Sequence, residues 1–249
     1  MTEKFIGFFR VVAACAAPGC PLCRCLVEDA RRDLGALLDE RVTDVETRRR
    51  LRAAWGLCNR HTWMLRTVGG AATGAAILHA DLIRVAAERI GGGRDRPLAR
   101  PLRRLLRRLR PLRPAACARS SLVGRYRARA RCPLCLQAAD AEARYLQTVV
   151  DFGRDAELMR AYAGSSGLCV PHVMRIIERG GDTAALRPLI ERTIEKWRAL
   201  QANLEAFVRK HDHRSTEPVS ESEASACERA LAIVAGAPGV FDNDRPTED

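Results

Sequence analysis

Aromatic side chains are scarce in this 249-residue chain, where phenylalanine, tyrosine and tryptophan together make up 5% of the residues. A core without large rings must rest on leucine, alanine, valine and isoleucine, which suits packed helices better than sheets. Alternating apolar runs, the mark of half-buried strands, are missing too. No apolar stretch approaches the roughly 20 residues that a membrane helix needs. A secretory leader is not expected. Val12-Ala13-Ala14-Cys15 resembles a lipoprotein cleavage box, but Arg10 leaves only four residues before the cysteine, against the roughly 7 to 15 of a signal core. That segment reads as a short helix leading into Cys20. There is no phosphate-binding glycine loop, no Ser–His–acid arrangement and no pair of carboxylates that stands out from helix-surface charge.

Acidic residues are almost absent from one stretch. Residues 94–131 hold 14 arginines and a single acid, Asp95, for a local charge of +13, so the chain's net +12 leaves −1 for everything else. The basic character is therefore one segment and not a property of the whole surface. Within it Leu102, Leu105, Leu106 and Leu109 recur at helical spacing among arginines, predicting a short basic amphipathic helix between prolines. Beyond residue 210 the sign reverses, with nine acids and three arginines in residues 211–249. That tail reads as mostly disordered, apart from a short helix over 224–235 stopped by Gly236 and followed by Pro238.

What the chain does have is cysteine, ten in all. Six fall into a pattern that occurs twice. Cys20-Pro21-Leu22-Cys23 is followed by Gly56-Leu57-Cys58-Asn59-Arg60-His61, and Cys132-Pro133-Leu134-Cys135 by Gly167-Leu168-Cys169-Val170-Pro171-His172. The first pair is offset by 112 residues between copies (132 − 20 and 135 − 23) and the second by 111 (169 − 58 and 172 − 61). Cys15, Cys25, Cys117 and Cys227 lie outside the pattern and read as ordinary small apolar residues or thiols.

Helical periodicity surrounds the pattern. Leu22, Leu26, Ala30, Leu34, Leu37 and Leu38 step by threes and fours in the first copy, and Ala138, Ala141, Tyr145, Val149 and Phe152 in the second. A further helix leads up to each Gly-Leu-Cys, over 46–55 and 155–163, and a longer one follows each Cys-x-x-His. The last of these, marked by Leu189, Ile190, Ile194, Trp197, Leu200, Leu204 and Phe207, has the cleanest apolar stripe in the chain.

Three sulfurs and an imidazole are the donor set of a closed, structural zinc site. Proline after the first cysteine suits the first position of a helix. The Cys-x-x-Cys then sits where the free N–H groups and the helix dipole favour thiolate. A Cys and a His three apart share a helix face. Each copy is accordingly expected to form its own centre, Cys20, Cys23, Cys58 and His61 in one, Cys132, Cys135, Cys169 and His172 in the other. The 34 and 33 residues between the two halves leave room for a helical hairpin that the metal clips at its base. His79, His211 and His213 have no such partners and are read as surface or core histidines.

Cys-Pro-x-Cys followed by Gly-Leu-Cys-x-x-His, duplicated, resembles an uncharacterised bacterial family of unknown function. The resemblance runs from about Phe5 to Phe207, with a similar ending at Ala230-Leu231 through Gly236-Ala237-Pro238-Gly239. It implies the duplicated metal sites and no activity.

The expected architecture is all-α, two pseudo-repeats of helical hairpins, each stapled by a Cys3His site. The boundaries are 1–90 for the first repeat, 91–131 for an arginine-rich connector, 132–210 for the second repeat and 211–249 for the acidic tail. Function reads as a zinc-stabilised helical interaction protein without catalysis, holding two Zn2+ ions and meeting a protein partner in a reducing cytoplasm. Two alternatives stay open: nucleic-acid binding through residues 94–131, where arginines would neutralise phosphates, and a thiol redox enzyme using the two Cys-Pro-Leu-Cys motifs.

Overall fold

The computed structural model describes residues 3–91, 130–179 and 183–241. Among them every regular element is helical. The helices are α1 (Ile6–Ala14), α2 (Pro21–Asp39), α3 (Val45–Ala53), α4 (Asn59–Met64), α5 (Ala72–Gly91), α6 (Pro133–Phe152), α7 (Ala156–Gly164), α8 (Val170–Glu178), α9 (Thr183–Lys210), α10 (Glu221–Ala224) and α11 (Ala226–Ala235). A 3-10 turn over Leu65–Thr67 extends α4. The basic helix expected between the arginines lies outside the described residues.

Two compact units emerge, and they cut across the expected boundaries. One comprises residues 1–30 and 137–249, the other residues 31–136. The periodic apolar stripes explain the division. In α2, Leu22 and Leu26 belong to the core of the first unit, whereas Leu34, Leu37 and Leu38 belong to that of the second. Along α6 the order is reversed: Leu134, with Cys132 just before the helix, is buried in the second unit's core, and Ala141, Tyr145, Val149 and Phe152 in the first's. Each of these two helices thus serves one core with its first turns and the other with the rest.

In the first unit, Phe8, Val11 and Ala14 step along one face of α1 and are buried, leaving Ile6 and Phe9 exposed. They pack with Phe152, Leu158, Tyr162, Leu168, Ile176, Leu186 and Leu189. A polar cluster ties three segments together at the edge of this core. Arg10 donates to Tyr145 Oη at 2.7 Å and pairs with Asp29 at 2.7 Å, and Tyr145 donates to Asp29 at 2.8 Å. Each group satisfies another, so the cost of covering them is offset. Asp155 caps α7 by accepting from the N–H groups of Glu157 (2.9 Å) and Leu158 (3.2 Å).

The acidic tail, expected to be mostly disordered apart from a short helix over 224–235, has that helix and one more among its described residues. It carries α10 and α11, which pack on α9, and α11 also packs on α8. Ser220 and Glu223 form a capping box at the start of α10, and Lys210 Nζ reaches Glu223 at 2.9 Å. Charge composition alone does not show this packing: Ala226 is fully buried, and Glu223 is itself buried against Lys210. The glycine stop is where the sequence puts it, with Gly236 at φ 78°.

In the second unit Leu34, Leu51 and Leu78 are almost fully enclosed. Asp81 accepts two 2.7 Å bonds from Arg52 and one of 2.8 Å from Arg84, which hold its carboxyl well below the usual range. Gly74 marks a close crossing: a Cβ there would come within 2.5 Å of the Leu38 carbonyl oxygen.

Candidate metal centres

All eight predicted ligands fall into two clusters of four, but not in the expected groups. One contains Cys20, Cys23, Cys169 and His172, the other Cys58, His61, Cys132 and Cys135, with donor atoms inside 4.8 Å of one another in each. Every Cys-x-x-Cys is joined by the Cys-x-x-His of the other copy, so the expected pairing within a copy is corrected. The reason lies in α2. Cys23 and Leu38 are fifteen residues apart on one helix, about 22 Å of axial rise. Leu57 and Cys58 pack in the core that holds Leu38, whereas Cys23 belongs to the other core. Each quartet lies wholly within one unit.

The ligands are placed by local structure that the motif encodes. Cys20 and Cys132 immediately precede the Pro21 and Pro133 that open α2 and α6, and Cys58 and Cys169 are the N-cap residues of α4 and α8. Each cluster therefore sits at the starts of two helices, where free N–H groups and positive dipole ends favour thiolates. The approach to Cys58 turns through Trp55 (φ 60°) and Gly56 (φ 96°), and that to Cys169 through Gly167 (φ 87°). The second turn is locked by three bonds: Gly167 N–H to Ser165 Oγ (3.1 Å), Leu168 N–H to Tyr162 Oη (2.9 Å) and Trp197 Nε1–H to the Leu168 carbonyl (3.0 Å).

Donor separations can be compared with a tetrahedron. Zinc–sulfur bonds of about 2.3 Å and zinc–nitrogen bonds of about 2.05 Å imply edges of about 3.8 Å between sulfurs and about 3.6 Å between sulfur and nitrogen. In the first centre, Cys23 Sγ lies 3.7 Å from Cys169 Sγ, and His172 Nδ1 lies 3.3, 3.5 and 3.2 Å from the sulfurs of Cys20, Cys23 and Cys169. In the second, Cys135 Sγ lies 3.6 Å from Cys58 Sγ, and His61 Nδ1 lies 3.2, 3.7 and 3.5 Å from those of Cys58, Cys132 and Cys135. Both sets match within a few tenths of an ångström. These separations suit a metal ion at either quartet.

Electrostatics point the same way. Burial opposes ionisation of Cys20, yet contacts with Cys169, Cys23 and His172 hold its thiol well below the usual range. Hydrogen bonds to Cys169 and Cys20 push Cys23 up. The second centre repeats the split, with Cys132 drawn down to about 2 by Cys135 and Cys58, and Cys135 pushed up. Sulfurs this close cannot all ionise unaided, and a bound cation is what would let them. His172, although burial disfavours its charge, is raised to about 11 by the Cys169 and Cys20 sulfurs.

Beyond the ligands, the first centre has neighbours that the sequence motif does not announce. Glu142, on α6, places a carboxylate oxygen 3.2 Å from His172 Nε2 and is also bonded by Arg175 of α8. A carboxylate behind a metal-bound imidazole fixes its tautomer and raises its basicity. The Ala237 N–H donates to Cys23 Sγ at 3.4 Å, and the Phe241 ring meets the His172 ring edge-on at 4.9 Å. Glu142 follows Cys135 by seven residues, a spacing that by itself signals only a shared helix face.

No helix among the described residues is long and apolar enough to cross a membrane. No curated protein and no solved structure matches the chain. A family model described as a family of unknown function, DUF6062, does match, over residues 9–239. Since that span includes all eight clustered ligands and nearly the whole sequence, the chain belongs to this family.

Proposed function

We propose that the chain is a zinc-stapled helical protein without catalysis of its own, in which two Zn2+ ions hold remote chain segments together so that the helical surface can meet a protein partner. The carrying observation is the pair of Cys3His quartets with tetrahedral donor spacing. Four protein ligands complete zinc's preferred coordination and leave no position for a reacting water, unlike the three-ligand catalytic sites.

The two copies of the motif act as exchanged pseudo-repeats in this reading. Each gives its Cys-x-x-Cys to one centre and its Cys-x-x-His to the other. The first centre bridges ligands about 150 residues apart, Cys20 and His172 being separated by 152. Closing so long a loop with a metal restricts the unfolded chain heavily. Reduced, metal-bound thiolates suit a reducing compartment such as the cytoplasm. A partner surface is supported by exposed apolar residues on neighbouring helices, Met174 and Ile177 on α8, and Leu231 and Val234 on α11.

Metal analysis and native mass spectrometry of protein purified under reducing conditions test the reading. Two zinc ions per chain, with loss of helical circular dichroism on chelation, are the expected result. A metal-free sample with the full helical signal would overturn it.

A further inference from the structure

The two centres share ligand types and differ in everything around them. All four ligands of the first are buried, with Cys20 at 4% exposure, Cys23 at 1%, and Cys169 and His172 at 0%. The segment after α11 closes over it. Gly236, at φ 78°, brings the backbone so near that an added Cβ would stand 3.4 Å from Cys23 Sγ. Ala237 then donates to that sulfur, and Phe241 is held between the His172 ring and the Arg175 guanidinium, which lies 4.8 Å from its centroid. Glu142 completes the enclosure behind His172.

In the second centre Cys132 and His61 are buried, but Cys58 and Cys135 are partly exposed. His61 Nε2, like His172 Nε2, is buried without a hydrogen-bond partner, but only His172 has a carboxylate close behind it among the described residues, Glu142 at 3.2 Å. That neighbouring carboxylate has no counterpart in the second centre. The sulfurs of these two partly exposed cysteines are also neighbours, 3.6 Å apart.

We infer that the second centre is a thiol-modification site, at which a peroxide oxidises Cys58 and Cys135 to a disulfide and releases the metal, while the first centre is inert. The inference rests on the reading that both quartets hold zinc. One thiolate attacks the peroxide O–O bond, becomes a sulfenic acid and expels hydroxide. The second thiolate attacks that sulfur, forms the S–S bond and expels a second hydroxide. Two protons convert the hydroxides to water, so the two sulfurs together lose two electrons and hydrogen peroxide gains them. The sulfurs need to close from 3.6 Å to about 2.05 Å. His61 and Cys132 are left as two ligands, too few to retain the ion, which leaves as Zn2+ unchanged in oxidation state. A dithiol reductant reverses the step by exchange.

The test uses the full chain loaded with zinc and counted by native mass spectrometry. One equivalent of hydrogen peroxide is added, zinc release is followed with a chromophoric chelator, and disulfides are mapped by peptide mass spectrometry. One zinc per chain is expected to leave while the other stays bound, because only the second centre has partly exposed cysteine ligands. A Cys58–Cys135 disulfide should accompany it, and dithiol plus zinc should restore the second ion. Equal release of both ions, first loss from the Cys20 and Cys23 centre, or a Cys132–Cys135 link in place of Cys58–Cys135 would overturn the inference. Fewer than two zinc ions before oxidation would overturn the zinc reading and the inference with it. Because a Cys58→Ser chain could lose its metal outright, Phe241→Ala is the companion variant. It should speed release from the first centre by severalfold and leave the second unchanged. No change at either centre would count against the sealing role on which the contrast depends.

Discussion

Glu142→Gln isolates the carboxylate behind His172 from the ligands themselves. The carboxylate is mostly buried, 3.2 Å from His172 Nε2 and bonded by Arg175. The amide has the same shape, so packing is kept while the charge is lost. The Glu142 carboxyl, despite burial, is held below its usual range by His172 and Arg175, so in the wild type it is ionised at neutral pH. Without that charge the imidazole loses the anion 3.2 Å behind Nε2 and is a weaker donor at Nδ1. Outer-shell changes of this kind lower metal affinity about 10- to 100-fold, which corresponds to about 1.4 to 2.7 kcal/mol. Competition with a chelating dye, using cobalt as a spectroscopic substitute, reads the two centres as separate steps. One of the two steps should weaken by that factor and the other stay in place. Equal weakening of both steps, or none, would refute the assignment of Glu142 to one centre.

Scaffold positions give further tests. Phe8→Ala removes a ring with no exposure that stacks against Phe152 at 4.9 Å, and should cost about 3 to 5 kcal/mol in denaturant unfolding. Gly74→Ala pushes a methyl against the Leu38 carbonyl oxygen and its Cβ, and should destabilise the zinc-loaded chain by about 1 to 3 kcal/mol; an unchanged midpoint would deny the close crossing. Glu223 is held down to about 2 by Lys210 and by Ser220, so its contribution is present above the ordinary carboxylate range and is lost as pH falls from about 4.5 toward 2. Hydrogen exchange in α10 should therefore accelerate over that window in the wild type, and Glu223→Gln should be fast and flat across it.

Much of this was legible in the sequence. Threes-and-fours spacing placed α2, α6 and α9, and the donor types and their local turns followed from Cys-Pro-x-Cys and Cys-x-x-His. The grouping of ligands was not. Two copies with near-equal spacing allow pairing within a copy or between copies, and counting residues cannot separate them. The structure does, because α2 gives Leu22 to one core and Leu38 to the other, and each quartet lies within a single unit. Glu142 and Phe241 were invisible for a different reason. Their roles depend on which segments meet at His172, and that meeting is tertiary.

The exchanged grouping is the central claim, and zinc stoichiometry in paired ligand variants tests it most directly. Cys23→Ser and Cys169→Ser alter one centre, so each alone and both together should leave one zinc per chain by native mass spectrometry. Cys23→Ser with Cys58→Ser alters both centres and should leave none. One zinc in the Cys23/Cys58 pair and none in the Cys23/Cys169 pair would show that each copy builds its own site, and would contradict the account.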